Sequence, residues 1–131
     1  MQIREATASD IEPVRRLLAD HGWAHRVGDA DRFAALLAAS QRKVVALDDG
    51  GVVGFGRAIT DGLSNGYLSM IVVAASHRRR GVGRAIVMAL VDAEPGVTWV
   101  LRAEREGAAA FFGRLGFAVS AVAMERPRAV K

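Results

Sequence analysis

The sequence contains no cysteine, and this absence excludes several kinds of chemistry at once. Disulfide bonds, thiolate nucleophiles and cysteine-based metal sites all require that residue. Three histidines scattered along the chain make a structural zinc site an unfavourable interpretation. The sequence therefore predicts a protein without disulfides, without a nucleophilic thiol and without a metal centre.

Long apolar runs are also missing. No stretch reaches the roughly 18 apolar residues needed to span a bilayer, and the N-terminus lacks an apolar signal-peptide core. We therefore expect a cytoplasmic protein that has no membrane partner. A composition of 51% apolar and 24% charged residues favours a folded protein, and residues 1–131 are predicted to form a single domain.

Aromatic residues are few, at 6%, whereas arginine is abundant and contributes most of the positive charge in a net charge of +4. A basic surface suits either nucleic acid or a small polyanion. Few aromatic side chains mean few platforms on which bases could stack, so nucleic acid ranks last among the candidate partners. The placement of the arginines favours a small polyanion, because three of them are consecutive and lie beside two glycines in Arg78–Gly83.

Apolar periodicity and turn residues predict ten elements in the order β-α-α-β-β-β-α-β-α-β. Since a helix separates the strands Tyr67–Val73 and Val97–Leu101, these two are expected to be parallel neighbours. The fold class is α/β (α+β by some schemes), with a mixed, mostly antiparallel central sheet. The other predicted elements are a strand from Ile3, a helix from Ser9–Asp10 to about Asp20, a helix Asp29–Ala39, strands Lys43–Leu47 and Val52–Ile59, a helix from Gly81 to about Glu94, a helix Gly107–Leu115 and a strand Phe117–Met124.

The segment Arg78–Arg84 carries the clearest chemical signal. It follows an apolar strand and opens a helix, and a helix N-terminus exposes unpaired N–H groups with a partial positive charge. Glycines at 81 and 83 are expected to let an anion approach the backbone, and arginines at 78, 79, 80 and 84 supply fork-shaped donors for phosphate. We interpret the segment as a pyrophosphate cradle. It is neither a Walker loop nor a dinucleotide fingerprint, since the Gly-Lys-Ser/Thr ending is missing and position 86 is isoleucine.

The pattern Arg78-x-x-Gly81-x-Gly83 resembles the acyl-CoA signature of the GNAT superfamily of N-acyltransferases, Gln/Arg-x-x-Gly-x-Gly/Ala. Met70–Val73 is similar to that family's central strand, and Ala108–Phe117 is similar to its closing helix, which ends in Leu-Gly-Phe. The element order is also that of the family, although the sequence has room for little more than one strand after Phe117 instead of the usual two. The resemblance covers nearly the whole chain and implies a GNAT-like domain with a splayed parallel strand pair and helices on both faces of the sheet.

The same resemblance implies an N-acetyltransferase that uses acetyl-CoA as co-substrate and transfers the acetyl group directly to an amine of a small molecule or a protein. The implied cofactor-binding residues lie along the pantetheine (Ile71, Val72 and Val73) and around the pyrophosphate (Arg78, Arg79, Arg80, Gly81, Val82, Gly83 and Arg84). Direct transfer agrees with the absence of cysteine. Relatives often dimerise, so a homodimer is also an expectation.

Three residues depart from the family's pattern. Phe112 stands where many relatives have a tyrosine that acts as general acid for the departing thiolate, and Arg105 stands where they often have an asparagine. Val100 stands where enzymes that acetylate ribosomal-protein N-termini carry a glutamate base, which argues against that subfamily. A thiol whose pKa is about 8.5 can leave as a thiolate, so the loss of the acid need not abolish activity. We expect Phe111 and Phe112 to belong to the core.

The acceptor side is less well specified. Tyr67, Ser69 and Asp61 are weak candidates for a catalytic role through a water-relayed base. Because alternate residues of a strand share a face, Tyr67 and Ser69 are expected on one face with Ile71 and Val73. The weak substrate-binding candidates are Trp23, His25, Asn65 and Tyr67.

Two other classes of function stay open. A domain that holds acyl-CoA without catalysis is kept open by Phe112, which has no proton to give. A nucleic-acid module would use the arginine cluster, and its affinity would fall steeply with salt.

Overall fold

The computed structural model describes residues 1–91 and 95–129 and contains one five-stranded sheet of order β1-β2-β3-β4-β5. The first four strands pair antiparallel, and the last two pair parallel. The mixed, mostly antiparallel sheet with one parallel pair is therefore confirmed. Its strands are β1 (Gln2–Glu5), β2 (Arg42–Asp48), β3 (Gly51–Thr60), β4 (Asn65–Val73) and β5 (Thr98–Val100).

Helices cover both faces of the sheet, as predicted, and each face has its own apolar core. Phe33 and Phe55 are fully buried in the first core, and Ile86 and Leu90 are fully buried in the second. The helices over the first core are α1 (Ile11–Leu18), α2 (Ala24–Val27) and α3 (Ala30–Ala38), and those over the second are α4 (Val82–Val91) and α5 (Ala108–Gly113).

The helix boundaries follow local sequence signals. The first helix breaks where the sequence indicated, because Gly22 adopts a φ of +94° that favours glycine. Asp29 caps α3 by accepting a hydrogen bond from the Arg32 N–H at 2.8 Å. The short helix α2 was not predicted. The helix α4 was predicted to end at about Glu94, which lies outside the described residues.

A bulge interrupts β4 at the middle of the molecule. Val72 pairs with Phe55 and Ser69 pairs with Arg57, so two residues of β4 lie opposite the single residue Gly56. One of the two is Met70, a buried non-glycine residue with a φ of +58°. The bulge therefore sets the following part of the strand one residue out of phase with the preceding part.

This phase shift makes one prediction wrong. Ile71 and Val73 pack in the core beneath α4, and so does Leu68, which strict alternation would place on the opposite face from them. Tyr67 and Ser69, the neighbours of Leu68, therefore point to the other face. The four residues that were expected on one face are divided by the bulge into two pairs.

The parallel strands β4 and β5 separate soon after they begin. They pair over Asn65–Tyr67 and Thr98–Val100, whereas β4 continues for six more residues. No strand among the described residues pairs with that edge of β4 beyond Tyr67. A gap therefore opens between the two strands, and it is the gap in which the candidate site lies.

The predicted last strand, Phe117–Met124, is wrong. The structure has no strand in this segment, and Val119 and Met124 are almost fully exposed, at 97% and 99%. The apolar run was misleading because a strand needs a hydrogen-bonded neighbour, and β5 already ends at Val100. Among the described residues no helix has the length and apolar character needed to cross a bilayer.

Candidate functional site

A cavity of about 810 Å³, here called the cradle groove, lies between the gap in the sheet and the start of α4. Nine of the ten predicted cofactor-binding residues line it; the exception is Arg80. The lining also includes the ring of Phe111 and the ring of Phe112. The residues of the groove that sequence reasoning had singled out are Ile71, Val72, Val73, Arg78, Arg79, Gly81, Val82, Gly83 and Arg84.

The backbone at the start of α4 presents unpaired N–H groups to this groove. The first hydrogen bond of the helix runs from the Ala85 N–H to the Gly81 carbonyl at 3.0 Å, and the amides of residues 79–84 have no acceptor among the described residues. Arg79 and Gly81 both adopt left-handed backbone conformations, with φ of +63° and +81°. Such turns gather successive N–H groups into a concavity that suits an anion. This turn is the feature of the structure on which the predicted pyrophosphate cradle depends.

The two glycines of the cradle have different roles from those expected. A Cβ at Gly81 would meet nothing within 4 Å, so the glycine is required by its positive φ and not by lack of space. A Cβ at Gly83 would lie 3.0 Å from Cζ of Phe111, a distance at which the ring has to move. Gly83 therefore allows α5 to pack closely against the start of α4. The expectation that both glycines clear space for an anion is not supported by this packing.

Arg80 does not line the cradle groove. Its charge helps to hold the pKa of Asp48 below the ordinary value, although the larger cause is a hydrogen bond from His77. The His77 Nε2 lies 2.8 Å from the Asp48 Oδ2, so this pair ties the loop before α4 to the end of β2. The three other arginines, Arg78, Arg79 and Arg84, line the cradle groove.

A second cavity, of about 390 Å³, lies on the other side of the gap and is here called the arginine cavity. Tyr67 and Ser69 of β4 line it, and so do Trp23 and His25, which were predicted as substrate-binding candidates. Burial raises the pKa of the Tyr67 hydroxyl, which therefore stays protonated at neutral pH. The charged residues in its lining are Arg26, Arg32, Arg57, Arg102, Glu104, Arg105 and Arg128.

The two cavities meet at five shared residues, here called the junction: Trp23, Ile71, Arg105, Ala108 and Phe112. The Arg105 guanidinium stacks 4.2 Å from the centre of the Trp23 ring, and its Nη1 donates to the carbonyl of His21 at 2.5 Å. Arg105 therefore links the loop before α5 to the kink after α1, across the junction.

His21 stabilises the same kink through two hydrogen bonds of its ring. Its Nδ1 is 2.8 Å from the Leu17 carbonyl, and its Nε2 accepts a hydrogen bond from the Ala75 N–H at 3.3 Å. These two contacts require a neutral ring with the proton on Nδ1. His21 thus connects the end of α1 to the segment that follows β4, on the wall of the cradle groove.

Phe112 is confirmed as a core residue, because it is only 9% exposed and packs edge-on against Phe111 and Phe117. Phe112 also lines both cavities at the junction, so it is part of the core and of the site. Its ring has no proton to donate at the point where the two cavities meet.

Asp61 and Asn65 do not line either cavity. The Asp61 Oδ1 accepts hydrogen bonds from the N–H groups of Leu63, Ser64 and Asn65 at 2.8–3.1 Å. These bonds hold the pKa of Asp61 far below its ordinary value, so the carboxylate is a poor base. The structure therefore gives Asp61 the role of organising the β3–β4 turn, which argues against the catalytic role considered for it.

Sequence reasoning missed several polar residues of the arginine cavity. Arg57 lies in β3, where the sequence indicated only a strand, and Arg102 and Glu104 lie in the irregular segment after β5. Arg105 was noticed as a departure from the family pattern, but its position over Trp23 was not anticipated. The available signal was an arginine inside an otherwise apolar strand, which is uncommon unless the charge has a partner or a use.

Comparison with known proteins identifies the kind of fold that carries these cavities. A family model described as an acetyltransferase (GNAT) domain matches residues 39–119. Solved structures similar to the chain include a protein belonging to the GNAT family from Xanthomonas campestris pv. campestris, with 23% identity, a TM-score of 0.79 and coverage of 98% of this chain and 94% of that one.

Two further solved structures match the chain over a similar share of its length. A ribosomal-protein-alanine N-acetyltransferase from Brucella melitensis biovar Abortus 2308 has 25% identity and a TM-score of 0.76, and the match covers 98% of this chain and 99% of that one. Glucosamine-6-phosphate N-acetyltransferase from Arabidopsis thaliana has 17% identity and a TM-score of 0.74, with 96% and 97% covered. No curated protein sequence matches the chain.

Proposed function

We propose that this chain, which belongs to the acetyltransferase (GNAT) family, transfers an acetyl group from acetyl-CoA to the amine of an acceptor. Acetyl-CoA would supply the acetyl group as a thioester in the cradle groove, and the acceptor amine would enter from the arginine cavity. The observation that carries the proposal is the junction, where the two cavities share Trp23, Ile71, Arg105, Ala108 and Phe112. Two reactants bound in the two cavities would meet there, and such positioning lowers the barrier of a bimolecular reaction.

The residues of the cradle groove suit the phosphates of CoA. Among the described residues the amides of residues 79–84 have no acceptor, and Arg78, Arg79 and Arg84 line the groove. The unpaired edge of β4 next to the gap offers backbone groups to an extended chain such as pantetheine, in the manner of an added strand. Ile71, Val72 and Val73 lie on this edge and line the groove.

The tyrosine that acts as general acid in many relatives is replaced here by Phe112, so any proton transfer depends on other groups. Phe112 has no proton to give, and Asp61 is held in the turn by its hydrogen bonds. Tyr67 is protonated and lines the arginine cavity, where it can orient the acceptor by a hydrogen bond. Because a thiol pKa is about 8.5, the thiolate can leave without a donor at neutral pH, and the chain's contribution is mainly to bind and orient.

A pair of charge reversals tests the binding part of the proposal. Arg79→Glu changes a residue of the cradle groove, whereas Arg80→Glu makes the same change in charge at the next residue, which does not line the groove. Loss of a hydrogen bond to a charged group costs about 1.5–3 kcal/mol, so we expect Arg79→Glu to raise the Kd for CoA roughly 10- to 100-fold. Arg80→Glu should raise it less than about threefold, since exposed charges are screened.

Isothermal titration calorimetry with CoA measures both constants. Equal affinity of the two variants would contradict the assignment of the cradle. Thiol release from acetyl-CoA across a broad panel of amines then tests catalysis: tight CoA binding with no amine-dependent release would identify a non-catalytic acyl-CoA-binding domain. An affinity for nucleic acid that exceeds that for CoA, and falls steeply with salt, would favour the third class.

A further inference from the structure

The arginine cavity has a charge that restricts what it can accept. Six arginines line it, against one carboxylate, that of Glu104. Arg102 forms ion pairs with Glu104 and Glu125, each at 2.8 Å, so its charge is already compensated. Arg105 is held over the Trp23 ring and by a backbone carbonyl. These contacts do not neutralise the charge of Arg105, so an excess of positive charge remains in the cavity.

Arg57 is the buried member of this group. The residue is 8% exposed, and its Nη1 donates to the Ser40 Oγ at 3.2 Å. Its Nε is buried and has no hydrogen-bond partner in the part of the chain that the structure describes. None of the ion pairs found among the described residues includes it. Burial lowers the pKa of Arg57 from its ordinary value, yet a guanidinium stays charged at neutral pH. A buried charge without a counter-ion is costly unless a ligand supplies one.

The sheet directs Arg57 into the arginine cavity. Arg57 of β3 pairs with Ser69 of β4, and Tyr67 lies two residues before Ser69. Directly paired residues and their diagonal neighbours share a face and lie within contact of one another. Arg57, Ser69 and Tyr67 therefore form the floor of the cavity, and all three line it.

Two further arginines of the helices line the cavity. Arg26 of α2 and Arg32 of α3 line it, and neither belongs to an ion pair found among the described residues. A cavity lined by one sign of charge raises the local concentration of ligands of the opposite sign. Arg26 and Arg32 would attract an anion that Arg57 then holds.

We propose that the acceptor is a small amine that also carries a carboxylate or phosphate group, and that Arg57 is the residue that binds this anionic group. This inference rests on the proposed function and specifies its substrate class. The cavity volume of about 390 Å³ is at the lower end for ligand sites and suits a molecule of amino-acid or amino-sugar size. Polycationic amines would meet uncompensated like charge and are excluded as good acceptors.

Matched pairs of acceptors test the proposal on the full-length protein. In the carboxylate arm, amino acids are compared with their C-terminal amides; in the phosphate arm, O-phosphoethanolamine is compared with ethanolamine; putrescine represents the polycations. A hydrogen-bonded charge discriminates by roughly 30-fold, so we expect kcat/KM to favour the anionic member by about that factor in at least one arm. The arm that gives the preference identifies the anionic group.

Substitutions of Arg57 then test whether this residue binds the anionic group of the acceptor. Arg57→Met should reduce the preference to within about threefold of unity, and Arg57→Lys should reduce it at least fivefold, because an ammonium lacks the planar fork of donors. Arg16→Met removes the same charge from an exposed position of α1 outside both cavities and should leave the preference unchanged. The affinity for CoA, measured on each variant, reports whether it is folded.

Two results would overturn the inference: neutral amines used as well as their anionic partners in both arms, or an unchanged preference in a folded Arg57 variant. If Arg57→Met does not fold, the preference measured on Arg57→Lys decides whether Arg57 binds the anionic group. If CoA binds but no acceptor is turned over, the proposed function fails instead. The same acceptor pairs are then titrated into CoA-saturated protein, where the ratio of Kd values replaces the ratio of kcat/KM.

Discussion

Replacing Gly56 with alanine would insert a methyl group between β3 and α4, and the structure gives the size of the resulting overlap. The new Cβ would lie 2.7 Å from Cδ1 of Ile71, 2.7 Å from Cγ2 of Ile86 and 2.9 Å from Cδ1 of Leu90. Optimal separation between such carbon atoms is about 3.5–4.0 Å. Gly56 is thus a glycine that the packing of α4 requires, and the backbone does not require it, because its φ is not in the left-handed region.

The energetic cost follows from which atoms can move. The Cδ1 atoms of Ile71 and Leu90 are at the ends of their side chains and can rotate away, but the Cγ2 of Ile86 is attached to a branched Cβ that is stiff in a helix. Relieving that contact therefore requires α4 to shift. Overpacking of this kind costs about 1–3 kcal/mol, and the reduced entropy of the unfolded chain offsets about 0.4–1 kcal/mol. We expect Gly56→Ala to destabilise the protein by about 1–2 kcal/mol.

Gly113→Ala is the matched control. Gly113 is the last residue of α5, has no positive φ, and a Cβ there would meet nothing within 4 Å. The same substitution should therefore stabilise the protein by about 0.5–1 kcal/mol. Urea unfolding followed by circular dichroism measures both free energies. Two changes of the same sign, or a change below about 0.5 kcal/mol for Gly56→Ala, would refute the packing argument.

Two further predictions concern carboxylates. The hydrogen bonds from Arg4 lower the pKa of Asp10 to about 2, so its ionised form stabilises the folded state above pH 4, and this contribution is lost as the pH falls from 4 to 2. Asp10→Asn should cost about 2 kcal/mol at pH 7 and much less at pH 2.5 in urea unfolding, and an equal loss at both pH values would contradict this assignment. Asp61→Asn should keep kcat within about threefold of wild type, because its carboxylate organises a turn; a loss of 100-fold, typical of a general base, would restore its catalytic candidacy.

Much of the site was predictable because its signals are local. The arginines and glycines at 78–84 indicated an anion site at a helix start, where the amides of residues 79–84 have no acceptor in the described ranges 1–91 and 95–129. Apart from α2 and the last strand, the order of strands and helices followed from periodicity, and the first helix ends at Leu18, close to the predicted end at Asp20. These features depend on neighbouring residues, and neighbouring residues can be read directly from a sequence.

The features that escaped prediction depend on contacts between distant segments. Met70 is an ordinary apolar residue in an apolar run, so nothing in its neighbours indicates a left-handed backbone or a bulge. Arg57 became a site residue only because β3 pairs with β4 and brings it beside Ser69. Phe117–Met124 is an apolar run that could form a strand, but whether it forms one depends on a partner, and β5 ends too early to supply it.

The short pairing between β4 and β5 has a consequence for the lifetime of the protein. In the described part of the chain, β5 pairs with the sheet at three positions, Asn65–Thr98, Gly66–Trp99 and Tyr67–Val100. Weakly attached elements open first in local unfolding, and amide hydrogen exchange reports such opening. A ligand that fills the gap would add stability of about 2.7 kcal/mol at 100 times its Kd. Resistance to proteolysis would then rise and fall with the supply of that ligand, so the amount of protein present would follow the concentration of the ligand.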